Sequence, residues 1–230
     1  MTISPLISHD PHHHAPAPDW LAVDALGDSA AALRAPRVSS VLVTRPRPAS
    51  LEALDARCAA LPEFEISRAV ASDTDDLSAL LARLPDSPER ALLHEDMLSL
   101  LRAFAAASGD LTVHIGLALT RQDECSRFHH DSLRLRLLCT YVGPGTEWLP
   151  ARAVHAPALG NPHHHSQDVI ADPEAICRAR THHVFWMKGN RFGFGHAACV
   201  HRSPPIRHLG LSRLVLRIST PDSPLPLQHH

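Results

Sequence analysis

The stretch Phe128-His129-His130-Asp131-Ser132, running straight into Leu133-Arg134-Leu135-Arg136-Leu137-Leu138-Cys139-Thr140-Tyr141-Val142, decides how this chain reads. Residues 133 to 142 read as a strand, and the histidine pair stands at its entrance. In extended backbone, residues i and i+2 point to the same face, so His129 and Asp131 aim an imidazole and a carboxylate at one point while His130 turns away. A second imidazole must come from elsewhere. His201 is the best candidate, because it ends a small-residue strand and Val200-His201-Arg202-Ser203-Pro204-Pro205 turns sharply after it. Two histidines and one carboxylate leave metal positions open, which suits non-haem Fe(II); a closed structural zinc site would want four protein ligands. In a chain with 19 histidines a lone His-x-Asp triplet is weak evidence, and its bland reading is a surface histidine beside a turn-capping Asp.

Working outward, residues 111 to 119, 182 to 188, 196 to 201 and 211 to 219 also read as strands, separated by turn signals at Gly143-Pro144-Gly145, Gly189-Asn190, Gly193 to Gly195 and Pro204-Pro205. Upstream, 38 to 44 reads as a strand and 49 to 61 as a helix. Further helices are expected over 73 to 84 and 88 to 107, the latter capped by Ser87 with Pro88 in its first position. Helices followed by strands give an α+β fold whose C-terminal half is a sandwich or a barrel. Arg213 and Arg217 share one face of the last expected strand, twelve and sixteen residues after His201. A metal site that used 2-oxoglutarate would need such a cation, since the planar guanidinium binds a carboxylate bidentately and stays charged.

The expected organisation is a His- and Pro-rich flexible tail over 1–35, one metal-binding domain over 36–220 and a flexible tail over 221–230. A formal net charge of -2 offers no electrostatic footprint for nucleic acid, and Lys188 is the only lysine. No apolar run reaches 18 residues, so no membrane span is expected, and the N-terminal residues lack the pattern of a signal peptide. Five cysteines without C-x-x-C spacing fit a reducing cytoplasm better than a disulfide framework.

Other residues carry two readings each. His163, His164 and His165 form a solvated loop or a secondary metal patch, and the same choice holds for His12, His13 and His14. His182, His183 and His196 are plain strand histidines or outer neighbours of the site. Tyr141, Trp148 and Trp186 pack the core or line a substrate pocket. Glu147, after the Gly-Pro-Gly turn, is a further carboxylate candidate near the metal.

Phe128 to Asp131, Arg136 to Tyr141, Gly143-Pro144-Gly145-Thr146-Glu147-Trp148 and His201 to Pro205, in that order, resemble the bacterial domain-of-unknown-function family 1826 over roughly residues 35 to 220. That resemblance implies a link to metal homeostasis, since such proteins tend to accompany zinc-scarcity gene sets and metal-chaperone GTPases, and it makes such a GTPase a candidate partner. The order His-x-Asp, His, Arg is also similar, more loosely, to the 2-oxoglutarate/Fe(II) oxygenase superfamily. This implies a double-stranded β-helix (jelly-roll, cupin-like barrel) with helices packed on it. It also implies metal ligands His129, Asp131 and His201, and a cosubstrate carboxylate on Arg213 with Arg217 as substitute. The leading expectation is an Fe(II)/2-oxoglutarate-dependent oxygenase of unknown small-molecule or protein substrate. The alternatives are a zinc-binding accessory protein without catalysis and a metal-free partner domain.

Overall fold

The computed structural model describes residues 18–159, 161 and 165–222. Ten strands form two sheets: β1 (Trp20–Val23), β2 (Ser40–Val43), β3 (Phe64–Ala71), β4 (Thr112–Thr120), β5 (Leu135–Val142), β6 (Glu147–Leu149), β7 (Cys177–Arg178), β8 (Val184–Lys188), β9 (Val200–Arg202) and β10 (Arg213–Ser219). The large sheet has the order β1-β2-β8-β5-β10-β4-β3 and the small one β7-β6-β9. Only β1 and β2 run parallel; the other pairings are antiparallel.

From β4 onward the chain passes back and forth between the sheets. β4, β5, β8 and β10 lie in the large sheet, and β6, β7 and β9 in the small one. His129, between β4 and β5, is bridged to His201 of β9. The period-two alternation of a strand then sorts side chains between two environments. Arg136, Leu138, Arg213, Val215 and Arg217 line a cleft on one face of the large sheet. Leu137, Cys139, Tyr141, Leu214, Leu216 and Ile218 face the main apolar core on the other.

That core is closed by helices α1 (Ser29–Leu33), α2 (Ala53–Ala60) and above all α3 (Pro88–Ser108). The Ser87 hydroxyl accepts the Arg90 amide at the start of α3, and Gly109, at φ 72°, ends it in the left-handed conformation. Leu93, Met97, Leu100, Leu101 and Phe104 recur at helical spacing and are fully buried. Phe104 stacks on Trp186 with ring centroids 5.7 Å apart, so truncating it to Ala should cost about 3–5 kcal/mol.

Three readings of the sequence change. The helix expected over 73 to 84 is a single 3-10 turn, Ser78–Leu81. Asp76 accepts the Ser78 amide, a local turn that competes with helix, and Leu77, Leu80, Leu81 and Leu84 bury without one. The tail expected through residue 35 ends earlier: β1 pairs with β2, and Trp20, Leu21, Val23 and Leu26 pack on the cores. β3, which was not expected, covers the outer edge of β4. His12, His13, His14, His163, His164 and residues 223–230 lie outside the described residues. Among the described residues no helix is long and apolar enough to cross a membrane.

Candidate metal centre

The segment between β4 and β5 is tied down at several points before it presents His129 and Asp131. Asp123 accepts the amides of Ile206 and Arg207 at 2.7 and 2.9 Å. Phe128 is fully buried, and its amide donates to Ser166 Oγ at 3.1 Å. His129 and His201 then exchange both backbone hydrogen bonds, at 3.0 and 3.1 Å, so their side chains leave the same face of one antiparallel pair. Their rings lie 4.6 Å apart. Asp131, two residues on, has its carbonyl bound by the Asn190 amide at 3.0 Å. Gly189 makes this approach possible, because a Cβ there would sit 2.7 Å from the Asp131 oxygen and 2.1 Å from that of Leu133.

The three side chains converge, with one donor atom from each lying within 4.8 Å of the others. His129 Nε2 is 3.6 Å from Asp131 Oδ1, and His201 Nε2 is 3.5 Å from Asp131 Oδ2. Those separations are long for hydrogen bonds. They approach the spacing of neighbouring donors on one ion, since ligands at about 2.0–2.2 Å stand about 3–3.5 Å from one another. Each Nδ1 faces a backbone carbonyl, that of Arg127 at 2.7 Å for His129 and that of Cys199 at 3.4 Å for His201. A carbonyl only accepts, so the proton belongs on Nδ1 and the Nε2 lone pair is left toward the shared point.

Burial and neighbouring charges set the protonation of the three groups. Burial pushes the His201 imidazole down to about 4, against the attraction of Asp131, so it is neutral near pH 7. Burial also works against charge on His129, but Asp131 and the Arg127 carbonyl outweigh it and raise that imidazole above its usual value. Burial alone would raise the Asp131 carboxyl; His201, His129 and Arg136 together hold it well below the usual carboxylate range. Arg136 Nη1 stands 2.7 Å from Asp131 Oδ2 as an ion pair, yet that buried oxygen receives no well-aligned hydrogen bond. Two imidazoles and a charged carboxylate are a donor set that suits a divalent transition metal, which would displace any proton on His129 Nε2.

The cleft beside this triad is lined by His129, His201, Arg136, Arg213 and Arg217, among others. Arg213, only 4% exposed, donates through Nε to the Pro144 carbonyl at 2.8 Å, and no carboxylate among the described residues pairs with it. Burial lowers its guanidinium to about 10. Gly143, at φ 79°, packs under its root; a Cβ there would strike the Ser212 carbonyl at 2.2 Å. Arg217 pairs with Glu65 of β3 and is partly exposed.

Other candidates lie elsewhere. Glu147 is held by Arg178 at 2.8 Å and Arg202 at 2.7 Å, so its oxygens are occupied away from the triad. Trp148 is packed between Trp20 and Phe185, and Trp186 lies under α3. Neither they nor Tyr141 line the cleft. His165 hydrogen-bonds with Asp168 at the start of a 3-10 turn and belongs to no cluster of metal donors among the described residues. His196 stands 3.0 Å from the buried Lys188 amine. The strand pattern singled out Arg213 and Arg217 but missed Arg136, which shares their cleft because β5 and β10 are neighbours.

A second group of possible donors, Asp96, Cys139 and His182, lies on the helix side of the large sheet. Here Arg45 takes both Asp96 oxygens, at 2.6 and 2.8 Å, and the Tyr141 hydroxyl donates to Oδ2 at 2.7 Å. Arg45 also donates to the His182 carbonyl at 2.7 Å and to Cys139 Sγ at 3.3 Å. Burial pushes the Cys139 thiol up to about 12.

No curated protein matches the chain. Among solved structures it is similar to the Fe(II)/α-ketoglutarate-dependent dioxygenase TqaL, at 13% identity over 84% of this chain and 87% of that one, with a TM-score of 0.48. It is also similar to a Pseudomonas putida prolyl-4-hydroxylase, at 13% identity, 85% and 97% coverage and a TM-score of 0.43. AviO1 from Streptomyces viridochromogenes matches at 15% identity, 88% and 98% coverage and a TM-score of 0.42. Residues 27–218 match the family described as "Protein of unknown function (DUF1826)", and the chain belongs to that family.

Proposed function

We propose that the protein is a non-haem Fe(II)/2-oxoglutarate-dependent oxygenase built on a double-stranded β-helix. The chain's passage between the two sheets, with β8-β5-β10-β4 facing β7-β6-β9 and the His129 bridge, supports the scaffold. The observation that carries the reading is the pairing of two features in one cleft. One is the triad of His129, Asp131 and His201. The other is Arg213, a buried guanidinium on the strand that follows His201, without a carboxylate partner among the described residues.

His129 and His201 would hold the ion through Nε2, each ring oriented by its Nδ1 contact to a carbonyl. Asp131, kept ionised by its surroundings, would supply the charged ligand. Arg213 would bind the distal carboxylate of 2-oxoglutarate, and the ion pair so formed answers the cost of burying a lone guanidinium. When bound, Fe(II) with 2-oxoglutarate supplies oxidation by O2 of a substrate C–H bond, with succinate and CO2 as coproducts. His201 and Arg213, both buried between the sheets, would be shielded from water there.

The test is anaerobic reconstitution with Fe(II), followed by exposure to O2 and measurement of succinate released from 2-oxoglutarate. Wild-type protein should release succinate even without added substrate. Arg213→Gln should lower 2-oxoglutarate affinity at least about 10-fold, as loss of a bidentate charged contact does, while metal content stays the same. Metal binding without any interaction with 2-oxoglutarate would overturn the oxygenase reading and leave a zinc-holding protein in its place.

A further inference from the structure

Four arginines, Arg136, Arg202, Arg213 and Arg217, line the cleft against one carboxylate, Glu124, which is exposed and accepts the Thr120 hydroxyl at 3.1 Å. The proposed cosubstrate uses one of them. Arg202 is committed elsewhere, bound to Glu147 and seated over the Phe128 ring with 4.4 Å to its centroid. Arg136 and Arg217 are left, and they are neighbours. On the antiparallel pair β5–β10, Arg217 lies opposite Leu138 and Arg136 opposite Ser219, so the two arginines sit diagonally across one face, about 7 Å apart at their roots. Like charges that close are unfavourable unless something negative lies between them.

Their present counter-charges do not fill that role. Asp131 pairs with Arg136, but in the proposed centre it is shared with the metal. Glu65 reaches Arg217 from β3, and both ends of that pair are substantially exposed, with side-chain accessibilities of 31% and 39%. Exposed pairs of this kind are weak and exchangeable. Arg217 also stands four residues from Arg213, about 13 Å along the strand at about 3.3 Å per residue. A five-carbon dicarboxylate lying between Arg213 and the triad does not extend to it.

We propose that Arg217 and Arg136 form a second oxyanion subsite in this cleft, and that the substrate carries a carboxylate or phosphate group which binds there. The inference rests on the oxygenase reading for the word substrate, but the subsite itself can be tested without turnover. Guanidinium pairs recognise these groups through parallel N–H donors, and Glu65 acts as the internal anion that a substrate displaces.

The experiment is calorimetric titration of the full chain, held anaerobic with Fe(II) and saturating 2-oxoglutarate, with inorganic phosphate and, separately, with acetate. At least one of the two anions should bind alongside 2-oxoglutarate. Arg217→Gln should weaken that binding at least 10-fold and leave 2-oxoglutarate affinity within twofold of wild type. That retained 2-oxoglutarate affinity shows that Arg217→Gln is folded, and Glu65→Gln, which keeps the arginine and removes its competitor, should tighten anion binding severalfold. Absence of binding by both anions, competition of either with 2-oxoglutarate, or unchanged anion affinity in the two variants would overturn the proposal. Failure of 2-oxoglutarate itself to bind wild-type protein would count against the oxygenase reading instead, and the titration without it still reads the subsite.

Discussion

Two groups of potential metal donors sit on opposite faces of the large sheet, and their difference is instructive. His129 and His201 line the cleft with Asp131 beside them; Asp96, Cys139 and His182 lie on the helix side. By proximity they are equivalent, since each set brings its donor atoms within 4.8 Å of one another. What separates them is who holds the lone pairs. In the first, the Nδ1 protons are absorbed by carbonyls and both Nε2 atoms point toward Asp131, whose Oδ2 is paired with Arg136 while Oδ1 faces the His129 ring at 3.6 Å. In the second, both Asp96 oxygens are taken by Arg45 and Tyr141, a guanidinium stands 3.3 Å from the thiol, and the thiol is strongly protonated. There one guanidinium spans both carboxylate oxygens and the thiol, whereas Arg136 takes one oxygen of Asp131, so the second cluster is a structural ion-pair network and the first stays the candidate centre.

The sharpest way to break this contrast is metal analysis of paired variants. His201→Ala should weaken Fe(II) or Zn(II) binding by more than about 100-fold, because even outer-shell partners of metal ligands are worth about 10–100-fold. His182→Asn should leave affinity and stoichiometry unchanged; Asn tolerates the left-handed backbone found at His182, with φ 73°. Metal lost from the His182 variant and kept by the His201 variant would reverse the assignment.

Stability should show the converse. Asp96→Ala strands Arg45 and the Tyr141 hydroxyl and should cost about 2 kcal/mol in urea denaturation; the figure is below that for a fully buried pair because Arg45 and Asp96 keep about a fifth of their side-chain surface exposed. A neutral outcome would mean that the network does not brace α3 against the sheet.

A smaller effect distinguishes the networks by pH. Burial, then the charge of Arg45, push the His182 imidazole down to about 4. In the unfolded chain it takes a proton near its usual value of about 6.5. Acid between those values therefore favours unfolding, and stability falls as the pH drops through that window. Wild type should lose about 1 kcal/mol more than His182→Asn between pH 7 and 5.5, read from paired denaturation curves. The smallest change is Cys139→Ala, which should cost under about 1 kcal/mol and leave metal content untouched, as a buried thiol with no ligand role requires.

Part of the candidate donor set was legible in short-range pattern. His129 and Asp131 are two apart at the mouth of a strand, a spacing that puts them on one side before any fold is known. Arg213 and Arg217 share a face for the same reason. The long helix was readable from Ser87, Pro88 and Gly109, because caps are local devices. β3 and the turn at Ser78–Leu81 were not readable, since edge pairing and leucine burial depend on what stands opposite.

Which side chains could coordinate, and how each lies relative to its near neighbours, follows from the order of residues alone, because backbone periodicity is a property of the chain. That His201 is the bridge partner of His129, that Arg136 joins Arg213 and Arg217, and that Tyr141, Glu147 and Trp148 belong elsewhere became visible with the fold. These are matters of strand register between segments far apart in the chain, and register is set by packing across the whole sheet.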